Sequence, residues 1–260
     1  MSIKRKVQGS LLFLGLTTGF IFSANAHAEK AIIAVASNFT KTIESVNEAF
    51  VKVYPQHQIK FSFGPTGKLF AQISNGAPFD AFFAADEKRA KKTIEMGLAQ
   101  SDSYFVYAQG KIALYSAQYP VATAPFLVLK EAKFNHLAMA NPKTAPYGDR
   151  AQAFLQTKGL YNGVKAKIVK GESIAHAFQY VATGNAQLGF IAMSQIVDPQ
   201  SPIYQKGQYW VVPQADYLPI NQGAVITQRG QHNQAIKDFM AFIKTPDAIK
   251  VIKEYGYGVN

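Results

Sequence analysis

The segment from Phe61 to Ala90 constrains the fold more than any other part of the chain. Its pattern is a strand, a Gly-Pro-Thr-Gly turn, a helix that begins near Lys68, a second turn and a second strand. The first turn places Thr66 and several backbone N–H groups at the N-terminus of that helix. A helix N-terminus has unpaired donors and about half a positive charge, which together favour an anion. The segment therefore predicts a βαβ unit with an anion site at its first turn.

The alternation of short apolar runs and amphipathic stretches continues along most of the chain. Repeated βαβ units are typical of an α/β fold with mostly parallel sheets flanked by helices. The predicted strands are 31–36, 59–63, 79–84, 137–140, 166–170, 188–192, 209–212 and 224–227. The predicted helices are 40–54, 69–74, 87–96, 148–157, 174–183, 234–243 and 246–255.

The stretch from Val106 to Tyr115 breaks this pattern, because it reads as one strand that bends at Gly110. A glycine inside a strand often marks a bend or a bulge. We interpret the bend as the point where the chain crosses into a second lobe. The predicted organisation is a first lobe of residues 29–109 and 219–260, a second lobe of residues 110–218, and a ligand cleft between them.

The first 28 residues have the features of a signal peptide. Basic residues at 4–6 precede an apolar run at 11–22, which is too short to span a membrane. Ala26-His27-Ala28 is a cleavage site of the A-x-A type, and Ala24-Asn25-Ala26 is a second candidate; the alternative is an uncleaved membrane anchor. Cleavage before Glu29 leaves 232 residues without another long apolar run, which predicts a soluble protein exported to the periplasm.

Composition excludes several kinds of site. The chain has no cysteine, which excludes thiol nucleophiles, iron–sulfur clusters and cysteine-ligated zinc. The formal charge of +11 falls to +8 without the three basic residues of the signal peptide, and such an excess favours anionic ligands. No basic run is interleaved with aromatic residues, so the sequence does not predict nucleic-acid binding.

Four loops carry hydrogen-bond donors at points where a strand gives way to a helix, which is where open α/β sheets bind ligands. Each loop by itself is equally typical of a helix cap or a tight turn. Two loops in each lobe together predict a cleft of hydroxyls, an asparagine amide and backbone N–H groups, which suits an oxyanion. The four loops are Ser37-Asn38, Gly64 to Gly67, Asn141 to Gly148 and Gly171 to Ile174.

Several stretches together resemble a known family, the periplasmic molybdate-binding proteins of ABC uptake systems. The matching stretches are AVASNF, GPTGKLFAQISNGAPFDAFFAADEK, FVYAQGKIALYS, ANPKTAPYG, ATGNAQLGFIAMSQI and FIKTPDAIKVIKEYGYGV, and they extend over essentially the whole mature chain. The resemblance implies a two-lobed type II periplasmic binding protein fold that closes on molybdate or tungstate. It also implies a monomer that serves an ABC permease, has no cofactor, and gives no protein ligand directly to the metal atom.

The resemblance assigns five residues to the oxyanion site. The family supplies a serine from its first loop, a second hydroxyl from a G-S-S-G turn and a backbone N–H from its fourth loop. Part of the family adds a tyrosine at the position of Ala192, whereas another branch takes it from an A-P-Y-G loop, which is present here. Pro65 removes one N–H group from the second turn. The implied site residues are Ser37, Asn38, Thr66, Tyr147 and Ile174.

Three other functions compete with this interpretation, and a purely structural or adhesive exported protein is disfavoured by the two-lobed pattern with paired anion loops. An ATP-hydrolysing enzyme is disfavoured, because Gly64 to Lys68 lacks the leading glycine of a P-loop and Leu69 stands where Ser or Thr binds magnesium. Asp86 is expected to cap the next helix rather than to act as a catalytic carboxylate. A binding protein for sulfate, phosphate or an organic acid is the second alternative, with Arg150 as the one arginine expected to reach the cleft.

Overall fold

The computed structural model describes residues 29–259, so the predicted signal peptide and the last residue lie outside the described residues. The chain forms two lobes, each built on a five-stranded sheet with helices around it. This arrangement confirms the predicted two-lobed α/β fold. Among residues 29–259, no helix is long and apolar enough to cross a membrane.

Ten strands divide equally between the two sheets. The first sheet contains β1 (Lys30–Ala36), β2 (Gln58–Gly64), β3 (Ala81–Phe83), β4 (Phe105–Gly110) and β10 (Ile220–Ile226), in the order β2-β1-β3-β10-β4. The second sheet contains β5 (Ile112–Ser116), β6 (Leu137–Ala140), β7 (Ile168–Gly171), β8 (Leu188–Ala192) and β9 (Gln208–Val211), in the order β7-β6-β8-β5-β9.

Both sheets are mixed rather than mostly parallel. In the first sheet, β1 runs parallel to β2 and β3, whereas β10 is antiparallel to β3 and β4. In the second sheet, β6 runs parallel to β7 and β8, whereas β5 is antiparallel to β8 and β9. The parallel part of each sheet comes from the predicted βαβ units, and the antiparallel part comes from strands at or near the passages between the lobes.

Ten α-helices surround the sheets. All seven predicted helices are present, and α4, α6 and α8 are additional helices of only seven, four and five residues. Such short helices carry too few turns for a periodic apolar pattern. The helices are α1 (Thr40–Val53), α2 (Thr66–Ser74), α3 (Glu87–Glu95), α4 (Pro125–Glu131), α5 (Pro146–Thr157), α6 (Tyr161–Val164), α7 (Ile174–Ala182), α8 (Met193–Val197), α9 (Gln234–Phe242) and α10 (Pro246–Glu254).

The apolar stripe of α1 shows how the pattern positions a helix. Ile43, Val46 and Phe50 recur at spacings of three and four residues and are buried against the first sheet. Val53 continues the pattern in sequence, but it is the last residue of the helix and is 57% exposed. Burial of this stripe fixes the position of the N-terminus of α1, which directly follows the Ser37-Asn38 loop.

The crossing between the lobes lies where the sequence predicted a bend. Gly110 ends β4 in the first sheet, and β5 begins two residues later in the second sheet. The predicted bent strand is therefore two strands of different sheets. A Cβ atom on Gly110 would lie 2.1 Å from the Tyr147 hydroxyl oxygen, so this site accommodates only a glycine without rearrangement.

Glu87 connects α3 to β10 and to the segment before β4, and β10 and β4 are the two strands next to the crossing between the lobes. Its carboxylate accepts hydrogen bonds from Lys91 Nζ at 2.8 Å, Asn221 Nδ2 at 2.8 Å and the Tyr104 hydroxyl at 2.7 Å. These bonds, with Lys91 first and then Asn221 and Tyr104, lower the pKa of Glu87 to about 2. The carboxylate thus holds α3 against β10 and the segment before β4.

Gly110→Ala is expected to lower the free energy of unfolding by roughly 1–3 kcal/mol, because the added methyl group overpacks a closed interior. Urea denaturation measures the change. Gly163→Ala is the matched control, since a Cβ there meets no described atom within 4 Å. Adding Tyr147→Phe to Gly110→Ala should recover part of the loss, since the hydroxyl is the nearest atom. Equal stability of the two alanine variants would contradict the contact.

Glu87→Gln should destabilise the protein by roughly 1 kcal/mol at pH 7, because it weakens charge-assisted hydrogen bonds at a partly exposed site. The folded-state pKa of Glu87 lies below its ordinary value of 4.5, so its stabilisation is present above pH 4.5 and is lost as the pH falls towards about 2. Unfolding at a series of pH values should therefore show the difference from wild type shrinking across this window. Glu95→Gln, on the exposed face of α3, is the control and should show no such trend.

Candidate functional site

The four predicted loops meet at one small pocket between the lobes. The pocket is narrow, with a cavity volume of about 10 Å³. All five residues assigned from sequence line it, together with backbone of the Gly64-Pro65 and Ala145-Pro146 turns. The structure thus brings together Ser37, Asn38, Thr66, Tyr147 and Ile174.

Helix N-termini surround the pocket. α2 begins at Thr66, α5 at Pro146 and α7 at Ile174, and a short 3₁₀ turn from Ser37 to Phe39 leads into α1. The first-turn N–H groups of a helix have no acceptor within the helix. Four such ends around one pocket concentrate free donors and positive potential there, which favours a bound anion.

The Ser37 hydroxyl is a free donor at the first of these turns. Ser37 is 9% exposed, and its hydroxyl forms no hydrogen bond within residues 29–259. Capping of α1 was the structural alternative for this loop, but neither Ser37 nor Asn38 supplies a side-chain cap to that helix. Ser37 contributes only its carbonyl locally, as the acceptor for the Thr40 hydroxyl at 3.1 Å.

Thr66 is buried, and its hydroxyl has one bond already made. Its Oγ1 accepts a hydrogen bond from the Ala85 N–H group at 3.0 Å. A hydroxyl has one hydrogen and two lone pairs, so its own hydrogen stays available for another acceptor. The hydrogen bond from Ala85 holds the Thr66 oxygen just beyond the end of β3. The Thr66 hydroxyl hydrogen is left to donate to an acceptor in the pocket.

The Asn38 side chain points into the first lobe and contacts other protein groups there. Its Nδ2 donates to Gln222 Oε1 at 2.7 Å and to the Tyr257 hydroxyl at 3.0 Å, which uses both amide hydrogens. The expectation that an asparagine amide faces the ligand is therefore wrong for this conformation. The donor that Asn38 retains for the pocket is its backbone N–H group in the 3₁₀ turn.

Tyr147 stands in the first turn of α5 with its ring buried. Its hydroxyl lies against Gly110 and forms no hydrogen bond to a described residue. Burial raises the pKa of Tyr147 well above its ordinary value, so the hydroxyl stays protonated and keeps its donor. Its backbone N–H group belongs to the free donors of the α5 N-terminus.

The structure agrees with the expectations for Ser173, Asp86 and Ala192 that came from sequence. Ser173 caps α7 by accepting from the His176 N–H group at 3.2 Å, which leaves the Ile174 N–H group in the free first turn. Asp86 caps α3 in the same way, as predicted, by accepting from the Arg89 N–H group at 2.7 Å. Ala192 is fully buried in β8 and brings no hydroxyl to the cleft.

No charged side chain lines the pocket among the described residues. Arg150 pairs with its neighbour Asp149 instead, and the arginine that reaches the cleft edge is Arg89, whose Nη2 donates to the Lys143 carbonyl at 3.1 Å. The expectation that only Arg150 can reach the cleft is therefore wrong. Within residues 29–259, no three His, Asp or Glu side chains are grouped to hold a metal ion.

The lobes also touch each other directly at the cleft edge. The Gly67 N–H group donates to the Thr144 carbonyl at 2.9 Å, and Lys68 Nζ forms an ion pair with Glu172. No local pattern in the sequence predicts these contacts, because they join residues of different lobes. They show that the cleft is closed in this structure.

Comparison with known proteins places this geometry in a family. The profile of the family described as bacterial extracellular solute-binding protein matches residues 31–258. The chain is 43% identical to the molybdate-binding protein ModA of Azotobacter vinelandii over 96% of this chain and 98% of that protein. It is 40% identical to ModA of Rhodobacter capsulatus over 89% of each chain.

The fold agrees with these relatives. The solved periplasmic molybdate-binding protein of Azotobacter vinelandii superposes with a TM-score of 0.83 at 36% identity, covering 88% of this chain and 99% of that chain. Both the sequence matches and the structural match extend over nearly the whole described chain. This chain belongs to the bacterial extracellular solute-binding protein family.

Proposed function

We propose that this protein captures molybdate, and also tungstate, in the pocket between its lobes and delivers it to an ABC permease. The observation that carries the proposal is the convergence of four turns that present neutral donors around one small pocket without a charged side chain. Relatives that are 43% and 40% identical over most of the chain are molybdate-binding proteins. The proposed ligand donors are the Ser37 and Thr66 hydroxyls and N–H groups of Asn38, Tyr147 and Ile174.

The chemistry of the pocket favours a fully ionised oxyanion over the alternatives. Such an anion offers only acceptors, and the pocket offers donors. Phosphate at neutral pH carries a proton that needs an acceptor carboxylate, and no carboxylate lines the described pocket. An organic acid is best held by a bidentate arginine, and Arg150 pairs with Asp149 and does not line the pocket. Sulfate presents the same charge and acceptors as molybdate, so cavity size must separate these two anions.

Binding follows from the two-lobed arrangement. The open protein would receive the anion on the donors of one lobe, and rotation about the crossing strands would bring the donors of the other lobe to it. We place the first lobe at residues 29–109 and 219–260 and the second at 110–218, with Gly110, the last residue of β4, at the boundary. The closed monomer would then dock on the permease in the periplasm, where the predicted signal peptide directs it, and release would be driven by ATP hydrolysis elsewhere in that complex. Neither a cofactor nor a protein bond to the metal atom is required.

Isothermal titration calorimetry of the purified mature protein with four anions tests this function. We expect tight one-to-one binding of molybdate and tungstate and no heat from sulfate or phosphate, because the pocket supplies donors without an acceptor and fits one size of tetrahedral dianion. Sulfate binding equal to molybdate binding would contradict the selectivity. Absence of molybdate and tungstate binding would contradict the function itself.

Thr66→Val should weaken molybdate binding by roughly 1.5–3 kcal/mol, the range for a hydrogen bond to a charged group. The same change removes the acceptor of the buried Ala85 N–H group, so a loss of folding stability is expected as well. Calorimetry and urea denaturation measure the two effects separately.

Thr66→Ser is the matched control for this variant. It keeps the hydroxyl, so it should retain both most of the affinity and the bond to Ala85. If Thr66→Val bound molybdate as tightly as Thr66→Ser, Thr66 would not be a ligand donor, whatever its effect on stability.

A further inference from the structure

The peptide group of Asn38 is held from several sides by a buried hydrogen-bond cluster. Its carbonyl oxygen lies 2.7 Å from the Tyr257 hydroxyl and 3.0 Å from Ser194 Oγ. Its side chain donates to Gln222 and again to Tyr257. Ser194 and Tyr257 are each 5% exposed, and Gln222 is fully buried. The backbone N–H group is the one hydrogen-bond donor of Asn38 that this cluster leaves free for the pocket.

Ser194 is the member of this cluster that comes from the other lobe. It lies in α8, which follows β8 of the second sheet directly. Asn38, Gln222 and Tyr257 all belong to segments around the first sheet. The Ser194 contacts with Asn38 and Tyr257 therefore cross the lobe boundary in the closed structure.

We propose that Ser194 is a positioning residue for the oxyanion site and acts through Asn38. In the closed form its hydroxyl binds the Asn38 carbonyl and fixes the Ser37-Asn38 turn, whose donors line the pocket. Closure and the orientation of this turn thereby favour each other. The assignment of Ser37 and Asn38 to the ligand rests on the proposed function.

The position of Ser194 separates this role from direct ligand binding. Ser194 does not line the oxyanion pocket; it lines a larger cavity on another side of the Ser37-Asn38 turn. Removing its hydroxyl leaves the Asn38 carbonyl bonded to Tyr257, so Ser194→Ala creates no unsatisfied carbonyl in the first lobe. The variant is therefore expected to fold.

Stopped-flow measurement of molybdate binding to Ser194→Ala tests the proposal. We expect dissociation to accelerate roughly three- to tenfold, as for loss of one neutral hydrogen bond, because the proposal makes this bond part of the closed complex. The association rate should stay within about twofold, since the anion first meets the open protein. A merely structural role would instead lower the melting temperature of the ligand-free protein without changing the dissociation rate.

Ser45→Ala is the matched control. The Ser45 hydroxyl also contacts a tyrosine, Tyr255, at 2.9 Å, but both residues belong to the first lobe. This variant should leave the dissociation rate unchanged. Unchanged dissociation in Ser194→Ala, or equal acceleration in both variants, would overturn the proposal.

A second readout does not depend on the anion. The chain has no cysteine, so labels can be attached at Glu95→Cys in the first lobe and Lys130→Cys in the second, both exposed. Fluorescence energy transfer between the labels reports the closed fraction of the ligand-free protein. Ser194→Ala should lower this fraction and Ser45→Ala should not. If wild type fails to bind molybdate, the proposed function is wrong, but an unchanged closed fraction in Ser194→Ala is what overturns the role of Ser194.

Discussion

The site depends on backbone N–H groups that a helix cannot satisfy by itself. Each βα turn at the cleft leaves such groups at the start of its helix, and a buried donor without an acceptor costs roughly 1–3 kcal/mol. The fold places turns from both lobes around one pocket, near the Gly110 crossing. An acceptor with several oxygens relieves all of these groups together, which explains why a two-lobed α/β fold suits an oxyanion without a charged partner.

Neutral lining also bears on selectivity. Arginine or lysine at the centre of the pocket would attract any anion. Fixed hydroxyls and N–H groups bind tightly only an anion whose size and acceptor arrangement match their positions. Without the predicted signal peptide the chain keeps a net charge of +8, none of it on the lining of the described pocket, and this charge raises the local concentration of anions without selecting among them. Long-range attraction of anions and selection among them thus depend on different residues. Arg89 at the cleft edge binds Asp86 and the Lys143 carbonyl rather than lining the pocket.

Local signals in the sequence were enough for the α/β fold and for the four loops around the pocket. Turn composition marks where a helix starts, and parallel strands bring the following turns of one sheet to one edge, but the choice of Ser37, Thr66 and Ile174 within those loops came from the resemblance to a known family. The direction of the Asn38 side chain could not be predicted, because its partners Gln222 and Tyr257 are more than 180 residues away. Arg150 is near the Tyr147 loop in sequence, yet Arg89 reaches that loop, because proximity across a cleft depends on how two lobes dock.

The strength of the direct contacts between the lobes determines how much of the stabilisation of the closed form must come from the ligand. The Lys68–Glu172 ion pair has both side chains more than half exposed, and such pairs contribute little in water. The Gly67 N–H bond to Thr144 exchanges a bond to water for one to protein, which gives a small net gain. A ligand can shift a two-state equilibrium only by its differential affinity for the two states. Because these exposed contacts are weak, closure is left to the buried contacts of Ser194 and, in the proposed function, to the anion, which would bind donors from both lobes at once.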